Sequence, residues 1–496
     1  MNDKEDLKSK AIKGSVWSLI ETFSLQIVQF TVGVVLARIL EPKDFGLIAL
    51  TGIFTSISAA ITDGGFEKTI IQKKNLSPIQ ISTIFYINIL LGALMTILLI
   101  LLSPYISAFF NAPELTPILQ VVSLSIFLTS LSQTQQTLLL KELNFKKISQ
   151  IQIITSIIGG ITGLAMALTG FGVWALVYSA LVPQIIKVIF FWIKSSWYPI
   201  FKFSYSSIKT LVPYGLNILV SSIFFFMIQQ FNVFIVGRFY SKTELGLFNR
   251  GNRFPELVIG ILQNVVLKMT LPIFAKIQDD TSHLLEVVKK TNKIVAFVSL
   301  PLLMLLFIKA EDITIFLFTE KWRGSIIFLQ LFCIVRIFEP FITIHRELLL
   351  SQGLSALLLK IFTITSLFEI SLILWLIHYG ILYLVLATFI SRVITYLTYT
   401  IINSKRLGIQ WTQELGWFPP YILLTAGMGL IVLMLQYVML HFTDTTLFWR
   451  IFMQLTIGIF SYGFLAYIFK VSEISYLNSF LKIASKKFLF KKSGAL

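Results

Sequence analysis

A single cysteine, Cys333, stands among 496 residues, which excludes an intramolecular disulfide and a thiolate metal cluster. Histidine is nearly as scarce. His283, His345, His378 and His441 are scattered and have no metal-ligand spacing. No G-x-x-x-x-G-K-[ST] run occurs, so the chain does not hydrolyse ATP at a P-loop. No catalytic constellation, metal site or cofactor is expected. Charge is sparse too, at 13% of residues, about half the usual fraction of a soluble domain. Apolar side chains fill the space: 56% of the chain is hydrophobic, and the mean hydropathy is +0.83.

The apolar residues fall into fourteen runs of about twenty, each long enough to cross a ~30 Å hydrocarbon layer at ~1.5 Å per residue. Backbone groups in lipid must be paired within their own segment, so helices are predicted. The alternating segments of a barrel are absent. The fold class expected is an all-α polytopic membrane protein with about 14 transmembrane helices.

The net charge of +17 suggests a nucleic-acid partner until its placement is considered. With the N-terminus inside, the inward segments hold 29 of the 41 Lys and Arg, and the outward connections and adjoining helix ends hold ten. That bias predicts both termini in the cytoplasm. The basic tail, "KKFLFKK" included, then reads as contact with membrane lipids rather than nucleic acid. The N-terminal "MNDKEDLKSKAIKGS" lacks the pattern of a cleavable signal, so the first helix is expected to direct its own insertion. The longest inner loop, 270–291, is expected to form a brief surface helix around "HLLEVVKK".

One pattern occurs twice, 200 residues apart. Arg38, Asp44, Gly46 and Leu47 are answered by Arg238, Glu244, Gly246 and Leu247. Each copy joins two apolar runs through a short polar turn, and these residues are assigned as structural hairpin turns. Further matches follow in the same order: "YISAFF" with "DITIFL", "ILQVVSLSIF" with "FLQLFCIVRIF", and "FGVWALV" with "YGILYLV". Six helices per copy is an even number, which makes the repeat parallel. The predicted organisation is an N-terminal lobe over 1–200, a C-terminal lobe over 201–406, and two extra helices with a basic tail over 407–496. The two lobes are expected to surround a central cavity.

Polar residues inside the spans are the candidates for function, because lipid does not solvate an ionisable side chain cheaply. Helix eight is richest, with Asn249, Arg250, Asn252, Arg253 and Glu256. Arg250, Arg253 and Glu256 are spaced i, i+3, i+6 on nearly one face. Arg336 and Glu339 lie near the middle of helix ten with the same spacing, where a structural ion pair is the competing account. Helix one offers Glu21 and Gln29, and helix seven Gln229 and Asn232. Interhelical hydrogen bonding is the plain explanation for the amides, Gln133, Gln135, Gln136, Gln152 and Gln184 included. His345-Arg346-Glu347 reads as interfacial. Asp63, Glu67 and Lys68 read as a solvated helix end, and Arg392 has no partner near it in sequence.

Over nearly its whole length the chain resembles a known family. The resemblance rests on "LARILEPKDFG" from Leu36 to Gly46, and on "DGGFEKTIIQKKNLSP", "LLLKELNFKK", "GFGVWALV" and "GRFYSKTELGLFNRGNRFPEL". It is similar to the polysaccharide-export flippases of the multidrug/oligosaccharidyl-lipid/polysaccharide superfamily, in the lipopolysaccharide or teichuronic acid biosynthesis branch. The resemblance implies two six-helix lobes in a V, often with two extra helices. It also implies alternating access that carries undecaprenyl-pyrophosphate-linked oligosaccharide to the outer leaflet of a bacterial plasma membrane, with cationic cavity residues meeting the pyrophosphate. Glycosyltransferases and a polymerase of the same pathway are the expected partners, and a proton or sodium gradient the expected energy source. Arg chemistry agrees, since a guanidinium fork suits phosphate. Two alternatives are weighed against this reading. A cation-coupled drug or small-molecule antiporter would want a deep, isolated carboxylate, for which only Glu21 is available. A glycan polymerase, ligase or glycosyltransferase would want a large outer loop or domain, and the chain has none.

Overall fold

The computed structural model describes the backbone of residues 2–64, 66–73, 76–442 and 446–473. Side chains are described over the same residues except at 2–13, 15, 66–68, 206–221 and 442. Most of the basic tail, and the side chains of Glu67 and Lys68, lie outside the described residues.

In chain order the α-helices are α1 (Asn2–Ile39), α2 (Pro42–Asp63), α3 (Phe66–Gln72), α4 (Pro78–Phe109), α5 (Leu115–Lys141) and α6 (Phe145–Leu168). There follow α7 (Trp174–Lys194), α8 (Tyr205–Phe239), α9 (Lys242–Ile277), α10 (Thr281–Ile308), α11 (Ala310–Phe318) and α12 (Ile326–Val335). The last six are α13 (Glu339–Ser351), α14 (Ser355–Leu376), α15 (Ile381–Arg406), α16 (Trp411–Leu415), α17 (Pro419–Phe442) and α18 (Leu447–Ile468). Among the described residues there is no strand. Among the described residues fourteen helical segments are long and apolar enough to cross a membrane, the number that the hydropathy pattern predicts. The chain forms two compact units, Met1–Asn249 and Arg250–Leu496.

The first unit contains both copies of the duplicated hairpin and explains each repeated residue. Asp44 and Glu244 are helix caps. The Asp44 carboxylate accepts the Glu41 backbone N–H at 3.1 Å, closing a capping box with Glu41 at the start of α2. The Glu244 carboxylate accepts the Ser241 backbone N–H at 2.9 Å, and the Ser241 hydroxyl accepts the Glu244 N–H at 3.1 Å. Each acid therefore satisfies amides that a helix start leaves orphaned, and it places negative charge at the positive end of the dipole. The glycines serve a different purpose. A Cβ on Gly46 would overlap the carbonyl group of Lys242 and stand 3.2 Å from the Gly246 nitrogen. A Cβ on Gly246 would overlap the carbonyl group of Pro42 and stand 3.2 Å from the Gly46 nitrogen. The first turns of α2 and α9 thus cross backbone to backbone, and each glycine clears the way for the other chain segment.

Side chains brace this crossing. The Lys242 ammonium donates to the carbonyls of Phe110 at 2.7 Å and Gly237 at 2.6 Å, a cation at the carboxyl ends of α4 and α8. Lys43 meets Glu114 at 2.6 Å and, by hydrogen bonding, holds its carboxyl below the usual carboxylate range. The Arg238 guanidinium lies 4.9 Å from the Phe109 ring, a cation–π contact, whereas Arg38 is exposed.

In the second unit α17 and α18 pack on α10. The Phe297 ring lies 5.1 Å from Tyr462 and 6.3 Å from Tyr421, and the Tyr462 hydroxyl donates to the Phe297 carbonyl at 3.0 Å. At one end Lys309, fully buried, reaches Asp312 at 3.2 Å and Gln436 at 2.9 Å. Arg450 meets the other Asp312 oxygen at 2.6 Å. Shared pairing of this kind is what permits a buried ammonium.

Three expectations need correction here. The residues "HLLEVVKK" are not a separate surface helix but the first turns of α10. Asp280 caps that helix by accepting the His283 N–H at 3.0 Å, and nothing downstream breaks it before the apolar run. The tenth apolar run, 325–347, is not one continuous helix either, since α12 ends at Val335 and α13 begins at Glu339. Pro340 supplies the reason: its ring clashes with the carbonyl of Arg336 and it has no N–H to donate. Finally, His345 is not interfacial. Its ring and the Glu414 carboxylate are both fully buried, 2.7 Å apart. Asn403 donates to His345 Nδ1 at 3.1 Å, which puts the ring proton on Nε2, facing Glu414. Ser404 donates to the second Glu414 oxygen at 3.2 Å. These residues tie α13, α15 and α16 together.

Candidate functional site

Of the polar residues singled out in sequence, the second unit holds Arg250, Asn252, Arg253, Glu256, Arg336 and Glu339, and the first holds Glu21, Gln29, Gln229, Asn232 and Asn249. The second-unit group is the denser. It forms where α9 meets α12. A Cβ on Gly251 would press within 2.8 Å of the Leu329 nitrogen and 2.9 Å of the Ser325 carbonyl, so the bare glycine seats α9 against the start of α12. Its two neighbours are thereby aimed. Arg250 lays its guanidinium 4.0 Å from the Phe318 ring and 5.5 Å from Trp322, a stacked arrangement available to the planar guanidinium. Asn252 offers its amide oxygen to Arg336, which donates from Nε at 3.0 Å and from Nη2 at 2.9 Å.

Arg336 also pairs with Glu339 at 2.8 Å, both side chains less than one-fifth exposed. The i, i+3 partner predicted from sequence is correct, but the pair spans the break made by Pro340 rather than one helical turn. The network continues through residues that sequence spacing does not connect. Arg392 on α15 meets Glu369 on α14 at 3.5 Å and lies within electrostatic reach of Glu339. Ser391 donates to Glu369 at 3.4 Å. Two arginines and two glutamates thus alternate across α12–α15 and balance in charge.

Arg253 and Glu256 differ from that network. They stand 3.6 Å apart and are each nearly half exposed, at 48% and 45%. Arg253 lies roughly 16 Å along α9 from Lys242, at 1.5 Å per residue, in a 36-residue helix that carries a membrane-length apolar stretch. Charges at such a depth face protein or water rather than lipid.

In the first unit, Glu21 accepts a hydrogen bond from Ser149 at 2.7 Å and interacts with Lys187, so it is not an isolated carboxylate. Gln29 and Gln229, 200 residues apart, are both exposed. Asn232 Oδ1 and Asn249 Nδ2 are buried without a hydrogen-bond partner. Asp63 is not merely a solvated helix end, since Gln133 donates to it at 2.8 Å from α5.

The family model described as polysaccharide biosynthesis protein matches residues 35–327, more than half of the chain. The chain belongs to that family. The match begins within α1 just before the first hairpin and ends in α12, so it includes both hairpins and the whole of α9. Among curated relatives, the lipopolysaccharide biosynthesis protein WzxC of Escherichia coli (strain K12) is 28% identical over 338 residues, covering 66% of this chain and 67% of that protein. The teichuronic acid biosynthesis protein TuaB of Bacillus subtilis (strain 168) is 25% identical over 350 residues, 70% of this chain and 72% of that one. The solved structure of the lipid II flippase MurJ in an inward closed conformation aligns with a TM-score of 0.72 over 92% of this chain and 99% of that chain, at 19% identity. That likeness establishes the fold of this family member. The Arg392–Glu369 link and the His345–Glu414 pair are among the polar connections that sequence reasoning missed, because each joins helices whose partners lie more than twenty residues apart.

Proposed function

We propose that the chain is a flippase that moves an undecaprenyl-pyrophosphate-linked oligosaccharide from the cytoplasmic to the outer leaflet of a bacterial plasma membrane, for surface polysaccharide assembly. The observation that carries this reading is the half-exposed Arg253–Glu256 pair inside a membrane-length helix, beside Arg250 and the Arg336 network. A transporter of apolar cargo has no use for charge at that depth, whereas a pyrophosphate needs it. Arg250 and Arg253 are assigned to the pyrophosphate, and Gln29, Gln229 and Asn232 to sugar hydroxyls, for which amides offer both donors and acceptors. The names of the polysaccharide-pathway relatives and of the lipid II flippase support the same cargo class. The distribution of Lys and Arg supports cytoplasmic termini. In that setting the glycosyltransferases that build the precursor act before this chain, and a polymerase acts after it.

The test is made in a strain whose polysaccharide depends on the chain. Replacing the wild type by Arg253→Ala removes a charge-assisted contact of about 1.5–3 kcal/mol, so export is expected to fall about ten- to a hundredfold. Lipid-linked precursor should accumulate at the same time. Normal surface polysaccharide with no accumulated precursor contradicts the role given to Arg253.

A further inference from the structure

Within the first unit, α2 and α5 enclose a half-open cavity of about 260 Å³. Five hydroxyl residues line it: Thr55, Ser56 and Thr62 from α2, and Ser125 and Thr129 from α5. All five protons are already committed to main-chain carbonyls. Thr55 donates to Thr51 at 3.0 Å, Ser56 to Gly52 at 2.6 Å and Thr62 to Ser58 at 2.9 Å. Ser125 donates to Val122 at 2.6 Å and Thr129 to Ser125 at 2.7 Å. Back-bonding of this kind is common in apolar helices, but the convergence of five such groups on one space is not a consequence of helix formation.

A hydroxyl has one proton and two lone pairs, so with their protons on main-chain carbonyls these five groups present acceptors to the cavity. The remaining polar lining residue, Gln133, spends an amide proton on Asp63 at 2.8 Å. One Gln133 N–H is left to donate against five accepting hydroxyls, so the lining suits an occupant that brings several donors and few acceptors. Phosphate and carboxylate groups bring acceptors and are mismatched. A bare metal ion needs its oxygens gathered within about 2.5 Å, while this space has the volume of roughly nine waters at ~30 Å³ each. A sugar ring brings several O–H donors, and its C–H face can lie on the apolar Ile126 side chain that completes the wall.

We propose that this cavity is a glycan subsite, which holds one sugar ring of the cargo by accepting its hydroxyl protons. The proposal rests on the flippase reading for the source of the sugar and gives the glycan a place separate from the residues assigned to the pyrophosphate.

The probe is the oligosaccharide released by mild acid from the lipid-linked precursor of the producing strain, titrated onto full-length protein in nanodiscs. Wild type should bind it saturably. The triple variant Thr55→Val, Ser125→Ala, Thr129→Val removes three acceptors with little change of shape and should bind about tenfold or more weakly. Ala59→Trp, on the cavity wall, should bind weakly by filling the space, and Thr129→Ser should bind as wild type does. Equal affinity in the triple variant, or no binding by wild type, overturns the subsite. Transport of the intact lipid-linked oligosaccharide by the same proteins in liposomes separates the two readings. Sugar binding that depends on the hydroxyls, without transport, sinks the flippase reading and leaves the subsite standing. Transport by a triple variant of unchanged affinity does the reverse.

Discussion

Gly46→Ala and Gly246→Ala are each expected to reduce transport about five- to a hundredfold while leaving the helices formed. The new methyl group would sit where the other hairpin's backbone carbonyl now lies, and a main-chain atom cannot rotate away as a side chain can. The first turns of α2 and α9 must then separate. Overpacking typically costs about 1–3 kcal/mol, and 1.4 kcal/mol is a tenfold change in the population of the crossed arrangement. Alanine is a better helix former than glycine by up to about 1 kcal/mol, so neither helix is weakened locally and the effect is assigned to the crossing. Circular dichroism checks that helix content is kept, and cysteine cross-linking of Lys43→Cys with Lys242→Cys reports on the crossing itself. Wild-type transport and wild-type cross-linking in Gly46→Ala would remove any role for the contact.

The second large effect concerns the paired charges around the helix break. Arg336→Ala leaves the Glu339 carboxylate, less than one-fifth exposed, without its cation and frees the Asn252 oxygen. Removing one partner of this part-buried pair is expected to cost about 1–3 kcal/mol, less than the loss of a fully buried pair, because Arg392 remains within reach of Glu339. Replacing both partners should be much gentler, because no uncompensated charge remains. Arg336→Leu with Glu339→Leu is therefore expected to recover most of the thermal stability in detergent that Arg336→Ala loses. Transport separates the remaining possibilities. Recovery of both stability and transport in the double variant assigns the pair to structure. Recovery of stability alone assigns Arg336 to the cargo, together with Arg250 and Arg253.

Much of this architecture is legible in the amino-acid order, for identifiable reasons. Hydropathy reports helix number directly, because the bilayer sets a minimum length for each span. The Arg–acid–Gly–Leu pattern is visible because it recurs at a fixed offset, and its acid could be read as a cap, since Ser241 and Glu244 hold capping-box spacing. The glycines could not. That Gly46 faces Gly246 is a fact about two helices 200 residues apart, and sequence shows only that glycine occurs in both. The break between α12 and α13 is legible too: Pro340 stands inside an apolar run, and helices seldom pass through proline unaltered.

Charge pairing follows the same division. Arg336 with Glu339 and Arg253 with Glu256 are readable from i, i+3 spacing. Arg392 with Glu369, and His345 with Glu414, join different helices and depend on how those helices pack. His345 reads as interfacial in sequence because its neighbours Arg346 and Glu347 are charged. Its burial follows from Asn403 and Glu414, which satisfy both of its ring nitrogens. The hydroxyl-lined cavity was also hidden, since serine and threonine are ordinary residues in such helices and only their convergence carries meaning.

The central claim is that this chain moves a lipid-linked glycan across a bilayer. The most direct measurement uses purified full-length protein in liposomes loaded with the fluorescently labelled lipid-linked oligosaccharide of the producing strain, with a membrane-impermeant quencher added outside. Empty liposomes should expose about half of the probe. Liposomes containing the chain should expose nearly all of it over time, and Arg253→Ala should slow that exposure at least tenfold. A quenchable fraction fixed at about half, with the folded chain present and under either a proton or a sodium gradient, would contradict the account.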